Sequence, residues 1–499
     1  MGVTLLGLVL IVMSLRWIAD PLRLLQLAIV CSIFEAAAAM VIGGTMGLQP
    51  AMVPALLFVT YVALQYCLGM RYPGEGQVIW TMMPLLGLVA YALFSIFVLP
   101  QAFEGKIMVW PQRPDLIDPG YVPLAFTSGN VTQSMYLLFD VVVATCAALV
   151  ATRPSVPYRS LLRAYLLGGY IAVGFAFWDF GSRTVGLPFP DSIIRSNPGW
   201  QIVRQVIGSV PRIQGTFSEP AGLAFYLSGL VFCCLWLKAQ GYQVMRINLL
   251  LSLAILAMLC STSTTGLLTL ALGVPLLTVL SALRKDRAAT KRLIRTIIGI
   301  LVVGCVTIGP AFILKPSLRT DLHQVYIATI SKTHSNSYDQ RSGLDAGAMA
   351  AMIHTGGLGV GWGSYRASSL VPDILANGGI FGLLMVIWGT WRIGVIVRRS
   401  RAQAPDHTGI VVVRGFVAAV CGQLAAALLS SPTIGSVAFF LELGCLIGVA
   451  VRIGMETERA PPLARLGCAG IGSIYPQHRR MCDALESGSA RGRDPGRPS

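Results

Sequence analysis

Arginine carries the most pointed chemistry in this chain of 499 residues. Arg204, Arg212, Arg341 and Arg366 stand outside the apolar runs, between glycine turns and helix ends, with Lys315 and Lys332 among the lysines there. A guanidinium grips phosphate or carboxylate through paired N–H donors and keeps its charge, so such a set suits a polyanionic ligand. The plainer alternative is a set of solvated surface cations. Glu35, Asp140 and Glu442 are the opposite case, acids inside apolar runs. Placing such a group in lipid costs roughly 2.5–3.5 kcal/mol, so each serves either a proton or cation site or an interhelical hydrogen bond. Metal chemistry has no frame here. Of the five histidines, His323, His334 and His354 match no ligand spacing, and no metal or cofactor is expected. GGLGVGWG (356–363) is glycine-dense, but it lacks G-x-G-x-x-G and the G-K-[ST] of a phosphate loop. It reads as a tight backbone passage at a membrane surface. Asn130-Val131-Thr132 has the form of a glycosylation sequon and reads as a helix start.

The elements that must position these residues are membrane helices. Hydrophobic residues make up 55% of the chain and charged ones 12%, about half the usual charged share. With a mean hydropathy of +0.69, lipid is the fitting solvent. Thirteen apolar runs fall at 2–16, 24–44, 51–70, 78–100, 131–152, 164–181, 221–237, 247–260, 266–283, 293–314, 376–397, 410–430 and 434–453. At about 20 residues per crossing they predict an all-α polytopic bundle of about 13 transmembrane helices. If all cross, Arg16 and Arg23, Arg153, Arg159 and Arg163, the cluster 284–295, and Arg398, Arg399 and Arg401 share one side. By the positive-inside rule that side is cytoplasmic, which puts the N-terminus outside. The same bias accounts for the net charge of +16 without a nucleic-acid partner. Residues 1–458 then form one membrane domain with outward segments 101–130, 182–220 and 315–375. Residues 459–499 form a basic, disordered cytoplasmic tail. The last outward segment is the largest, with room for one or two short helices. MGVTLLGLVL has no basic start and reads as a retained first helix. Nine of the eleven cysteines fall in apolar runs and two in the tail, so no disulfide framework is expected.

Several stretches, taken in order, resemble a known family. RIQGTFSEPAGLAFYLSGL (212–230) is similar to the Arg-x-x-Gly-Thr-Phe element of the bacterial O-antigen polymerase and ligase family. STSTTGLLTLALG (261–273) resembles its Ser-rich start of the following helix. QRSGLDAGAMAAMIHTGGLGVGWGSYRASSLVPDILANGGIFGLL (340–384) resembles its large outward loop. FEGKIMVWPQ (103–112) belongs to the same likeness, which spans roughly residues 80–450. The ligase branch carries His-[Asn/Ser/Gln], nine residues, then Gly-x-x-Gly; here Ser368-Ser369 stands in that frame before Gly379 and Gly382. GWGSYRASS is more similar to the exopolysaccharide-polymerase branch.

The resemblance implies a metal-independent glycosyltransferase of the bacterial inner membrane, with its active site facing the periplasm. It would polymerise a secreted polysaccharide, moving a growing glycan from a polyprenyl diphosphate to the next lipid-linked repeat unit. Partners implied are the polyprenyl-diphosphate-linked oligosaccharide, membrane lipid, a chain-length regulator and export machinery. Arg212 and Arg341 match the family's arginine positions and are assigned to the diphosphate, with Arg366 as a further contact. Glu219, seven residues after Arg212, is the candidate carboxylate to take the acceptor hydroxyl's proton; its structural alternative is stabilisation of a helix N-terminus beside Pro220. Ser368, Ser369, Gly361 and Gly363 are assigned to substrate binding. Two other readings stay open: a ligase moving glycan onto a lipid or protein, and a flippase or transporter without enzymatic activity.

Overall fold

In lipid, backbone N–H and C=O groups have only each other to bond, so long apolar runs fold as helices. A computed structural model describes residues 2–44, 46–112, 120–200, 205–207, 210–283, 287–314, 327, 336–403, 407–430 and 436–459. Each of the thirteen apolar runs contains a helix. They are α1 (Leu5–Arg16), α2 (Pro21–Cys31), α3 (Met52–Cys67), α4 (Glu75–Ala102), α5 (Ser128–Ala151) and α6 (Tyr158–Val185), then α8 (Pro220–Ala239), α9 (Ile247–Cys260), α10 (Thr264–Leu283) and α11 (Arg287–Leu314), then α13 (Leu370–Gln403), α14 (His407–Leu429) and α15 (Val437–Arg459). Two more, α7 (Asp191–Ile194) and α12 (Asn336–His354), lie between the apolar runs, in segments 182–220 and 315–375. Among the described residues eight helices, α4, α5, α6, α8, α10, α13, α14 and α15, are long and apolar enough to cross a membrane. α1, α2, α3 and α9 are shorter apolar helices. The architecture is an all-α bundle of membrane type. The calls on the tail beyond Arg459, and on Arg204, Lys315, Lys332, His323 and His334, fall outside the described residues.

The run at 24–44 is not one helix. α2 begins on Asp20, whose carboxylate accepts the Arg23 N–H at 3.1 Å, with Pro21 in the first turn. It stops at Cys31. The chain then turns, and strand β2 (Met40–Ile42) pairs antiparallel with β1 (Gly2–Val3) and β3 (Met46–Leu48). Gly43 and Gly44, at φ 62 and 75, make the β2–β3 turn. Unbroken hydrophobicity looks alike in a buried strand and a buried helix, which is why the run reads as a single crossing. Both ends of the α1–α2 hairpin therefore meet at one end of the bundle, and Glu35 lies beyond the helix, in the connecting segment.

α8 is apolar on all sides and buried on all sides, the expected match for a central helix. It crosses α14 through small residues: a side chain on Gly229 would meet the Ala419 carbonyl, and one on Gly422 the Ser228 carbonyl. α5 and α15 pack likewise, Gly444 against Ala144 and Gly448 against Ala148. At one end of this bundle the segments between helices form a second small core. Ile107, Val109 and Leu124, around the hairpin of β4 (Met108–Val109) and β5 (Val122–Pro123), pack with Ala348 and Ala351 of α12 and with Val360, Tyr365 and Ala376. Asn130 closes a capping box with Thr127 at the start of α5, and also donates to the Trp362 carbonyl at 2.9 Å. It thereby ties the glycine-rich stretch to the bundle.

Candidate functional site

Arg212 sits in the loop before α8, next to the short strand β7 (Val210–Pro211), which pairs with β6 (Val206–Ile207). Its guanidinium crosses to the turn between α9 and α10. Nε donates to the Ser261 carbonyl at 3.3 Å and to the Thr262 hydroxyl at 3.1 Å, and Nη2 reaches the Thr262 carbonyl at 3.5 Å. Nη1 donates to Gln205. Thr262 is held at φ 47, a left-handed conformation that strains a β-branched residue by about 1–3 kcal/mol. The charge-assisted bonds from Arg212 offset that strain. Two stretches quoted for the family likeness, 212–230 and 261–273, thus meet through one side chain.

The loop is anchored from below by Asp179, near the end of α6. Its carboxylate accepts Arg183 Nε at 3.0 Å, Arg195 Nη2 at 2.8 Å, and the backbone N–H groups of Gln214 at 2.9 Å and Gly215 at 3.2 Å. Arg183 also donates to the Arg212 carbonyl at 2.9 Å, and Arg195 to that of Gly215 at 3.1 Å. Gly215 takes φ 58 against the α6 backbone at Ala176, where no side chain would fit. Every bond fixes the backbone that carries Arg212.

Arg341 arrives from α12 and donates to the Ser430 hydroxyl, at the end of α14, at 2.6 Å. Arg212 and Arg341 lie close enough to act on each other. Burial first, then the like charge of Arg341, lower the Arg212 pKa from its ordinary value, while Glu219 pulls it back. Of the five N–H donors on each guanidinium, the contacts among the described residues use three on Arg212 and one on Arg341. Glu219 is the residue at which α8 begins. Its backbone carbonyl accepts from Gly222 at 3.1 Å, and its side chain makes no capping bond. The acid thus stands at the N-terminus of α8 and acts electrostatically on Arg212 and Glu35.

One turn along α12 from Arg341, Asp345 accepts the Ser368 N–H at 2.7 Å, the Ser369 N–H at 3.1 Å and the Ser369 hydroxyl at 2.7 Å. Residues four apart share a helix face, so α12 joins the arginine pair to the Ser368–Ser369 turn. Below that turn Leu370 and Ile374 pack with Phe225 of α8 and with Ala426 and Ala427 of α14. The start of α13 and the start of α8 thus flank one apolar floor. Arg366 is exposed on the same turn, its N–H bonded to the Trp110 carbonyl at 2.9 Å. It acts electrostatically on Asp373, as Asp345 does. Gly361 and Gly363 are buried at φ 95 and 76; a side chain would strike Pro100 at the first and Gln133 at the second. Their closest surroundings are protein, at the ends of α4 and α5.

Glu35 is the residue whose place the sequence hides. Its Oε1 accepts the Ser218 hydroxyl at 2.8 Å, and its carboxylate lies against Gly222 in the first turn of α8. Burial pushes the carboxyl up to about 7; the Ser218 bond works against this shift and the nearby Glu219 charge adds to it. Asp140 and Glu442 remain inside the bundle. Glu442 accepts from Gln423 at 3.0 Å, and neither Asp140 oxygen has a hydrogen-bond partner among the described residues. No group of three or more His, Cys, Asp or Glu side chains is arranged to hold a metal among the described residues. At one end of the bundle, then, stand two arginines with N–H groups unspent among the described residues, two carboxylates at a helix start, and hydroxyls of Ser218, Ser261, Thr262 and Ser430. No family model matches the chain, and no curated protein matches it.

Proposed function

We propose that this end of the bundle transfers glycan from a polyprenyl diphosphate to a lipid-linked acceptor, making the chain a polymerase of a secreted polysaccharide. The observation that carries the reading is the meeting of Arg212 and Arg341. Two guanidinium groups on separate elements, with like charges acting on each other, are an unfavourable pair until a polyanion lies between them. A diphosphate supplies that charge and gains more of it as the glycosidic bond breaks, when fixed donors stabilise it most. The apolar floor under the site, and a bundle of lipid-facing helices, suit a ligand with a hydrocarbon tail. A carboxylate at the start of α8 takes the proton of the acceptor hydroxyl late in the reaction; Glu219 is the residue the sequence marks for it.

This reading sets the site on the periplasmic face of a bacterial inner membrane, with all thirteen runs embedded in the bilayer. Arg153, Arg159, Arg398 and Arg399, at the opposite end, agree with it through the positive-inside rule. A ligase acting on the same donor would use the same arginines and differ in its acceptor. The test is Arg212→Ala and Arg341→Ala in the producing cell. Each should lower polymer formation by about two to three decades, as when one donor to a developing anion is removed. Single repeat units should then build up on the lipid carrier, read by mass spectrometry. Arg→Lys should restore part of the activity, since it keeps the charge without the paired geometry. Full-length polymer at normal yield in both alanine variants would remove the diphosphate assignment.

A further inference from the structure

We infer that Glu35, with Glu219 as its electrostatic partner, is the proton acceptor of this site, a role that rests on the transfer reaction proposed above. Glu35 comes from a segment 183 positions away from Ser218, yet that segment is fastened to the Arg212 loop on both sides. The Thr216 hydroxyl donates to the Ile33 carbonyl at 2.6 Å, and the Ala36 N–H to the Thr216 carbonyl at 3.0 Å. The Asn197 N–H holds the Ala36 carbonyl at 3.1 Å. One carboxylate oxygen is fixed by Ser218. The other lies 3.4 Å from where a side-chain carbon on Gly222 would stand, so glycine there leaves room at the start of α8.

The surroundings suit a base that works near neutrality. From α8 and its cap, Glu219 is the charged group that acts on Glu35, and Arg212 in turn acts on Glu219. From the Arg212 loop comes the Ser218 hydroxyl, and from α6 Phe175, 5.6 Å from Phe34 in an edge-on pair. The segment before α8 adds Ser196, which accepts the Ala38 N–H at 3.0 Å, and Asn197. Burial and Glu219 bring the Glu35 carboxyl to about 7, where a base is both deprotonated often enough and strong enough to act. In the reaction the acceptor hydroxyl oxygen forms a bond to the anomeric carbon of the donor. The bond from that carbon to the diphosphate breaks, and its electron pair leaves with the diphosphate toward Arg212 and Arg341. The hydroxyl proton passes to the Glu35 carboxylate and from there to water, since Glu35 is only half-buried.

The experiment uses the full chain in lipid nanodiscs with a lipid-diphosphate-linked oligosaccharide, following turnover against pH. Below about 7 Glu35 is neutral and above it charged, so the wild-type rate should rise with pH through about 7. Glu35→Gln should lower the rate by about 10²–10⁴-fold and flatten the rise. Glu219→Gln removes a charge that raises the Glu35 pKa and should move the rise to lower pH. Ser218→Ala removes a bond that lowers it and should move the rise to higher pH. In infrared spectra of protein without substrate, the difference between wild type and Glu35→Gln should contain a carboxyl C=O band that titrates near neutrality. The role is overturned if that band is present but Glu35→Gln keeps the wild-type rate and profile, or if Glu219→Gln alone abolishes the rise; the transfer reaction then still stands. A protein that makes no polymer from any lipid-linked donor, with the band intact, removes the transfer reaction itself, and this role with it.

Discussion

Replacing Asp179 by asparagine tests how Arg212 is held. The carboxylate is 2% exposed and takes four donors at 2.8 to 3.2 Å, two from guanidinium groups and two from the backbone of the Arg212 loop. Asparagine keeps the size but brings one acceptor and one donor into a ring of donors, so half of the bonds must fail in either orientation. The charge is lost as well. Arg195 keeps Asp191 at 2.6 Å, but Arg183, at 13% exposure, is left beside no other acid among the described ion pairs. Breaking a buried pair by removing one partner costs about 3–5 kcal/mol. That cost falls on residues 212–215, because Arg183 and Asp179 both bond to them. A displacement of about 1 Å at a reacting site costs about a hundredfold in rate. Asp179→Asn should therefore cut polymer yield by about that factor while protein persists in the membrane, with a lowered unfolding midpoint in detergent. Combined with Arg212→Ala it should add little to the effect of Arg212→Ala alone, since the two changes act through one side chain. A variant with wild-type yield and midpoint, or losses that multiply in the double variant, would refute the positioning role.

Ser369→Ala removes a hydroxyl bond to Asp345 and should reduce polymer output, with about 1.5–3 kcal/mol lost from the α12–α13 junction. Ser368 meets Asp345 through its backbone N–H, so Ser368→Ala should stay near wild type when the two strains are compared for polymer. Gly444→Ala drives a methyl group into the Ala144 carbonyl and should cost about 1–3 kcal/mol of stability, read as a lower unfolding midpoint. Gly454→Ala, in the same helix with open space around it, should leave the midpoint unchanged.

The helices are legible in the sequence because lipid leaves the backbone one solution, and each of the thirteen runs holds one. Where α2 stops is not legible. Ser32–Ala39 is as apolar as a helix, and the turn depends on partners at Asn197 and Thr216, far along the chain. Glu35 therefore reads as an acid within a helix, although it stands at the site. Arg212, Arg341 and Glu219 can be picked out as residue types in a motif, and the fold brings all three together. Asp179 could be paired with Arg183 by their spacing of four, but nothing in the spacing joins it to Arg195 or to the Gln214 backbone. Gly361 and Gly363 show the converse: dense glycine marks close approach, and what approaches here is the chain's own Pro100 and Gln133.

The α1–α2 hairpin also sets a demand on the bilayer. At 12 and 11 residues its arms are about 18 and 17 Å long, against a hydrocarbon core of about 30 Å. α4 and α6, at 28 residues each, span about 42 Å. Leu5, Leu8, Val9, Val12 and Leu15 point outward from the short arm, and its far end carries Arg16, Asp20 and Arg23. If the hairpin crosses the bilayer, as the topology proposed above has it, lipid beside this flank must pinch inward to keep those charges wet, while lipid around α4 need not. On that topology the bilayer around the protein would be uneven in thickness, and the thin side would be the one that carries Glu35. Membrane thickness would then be a mechanical input, since thicker lipid would pull on a hairpin whose last turn ends four residues before the carboxylate.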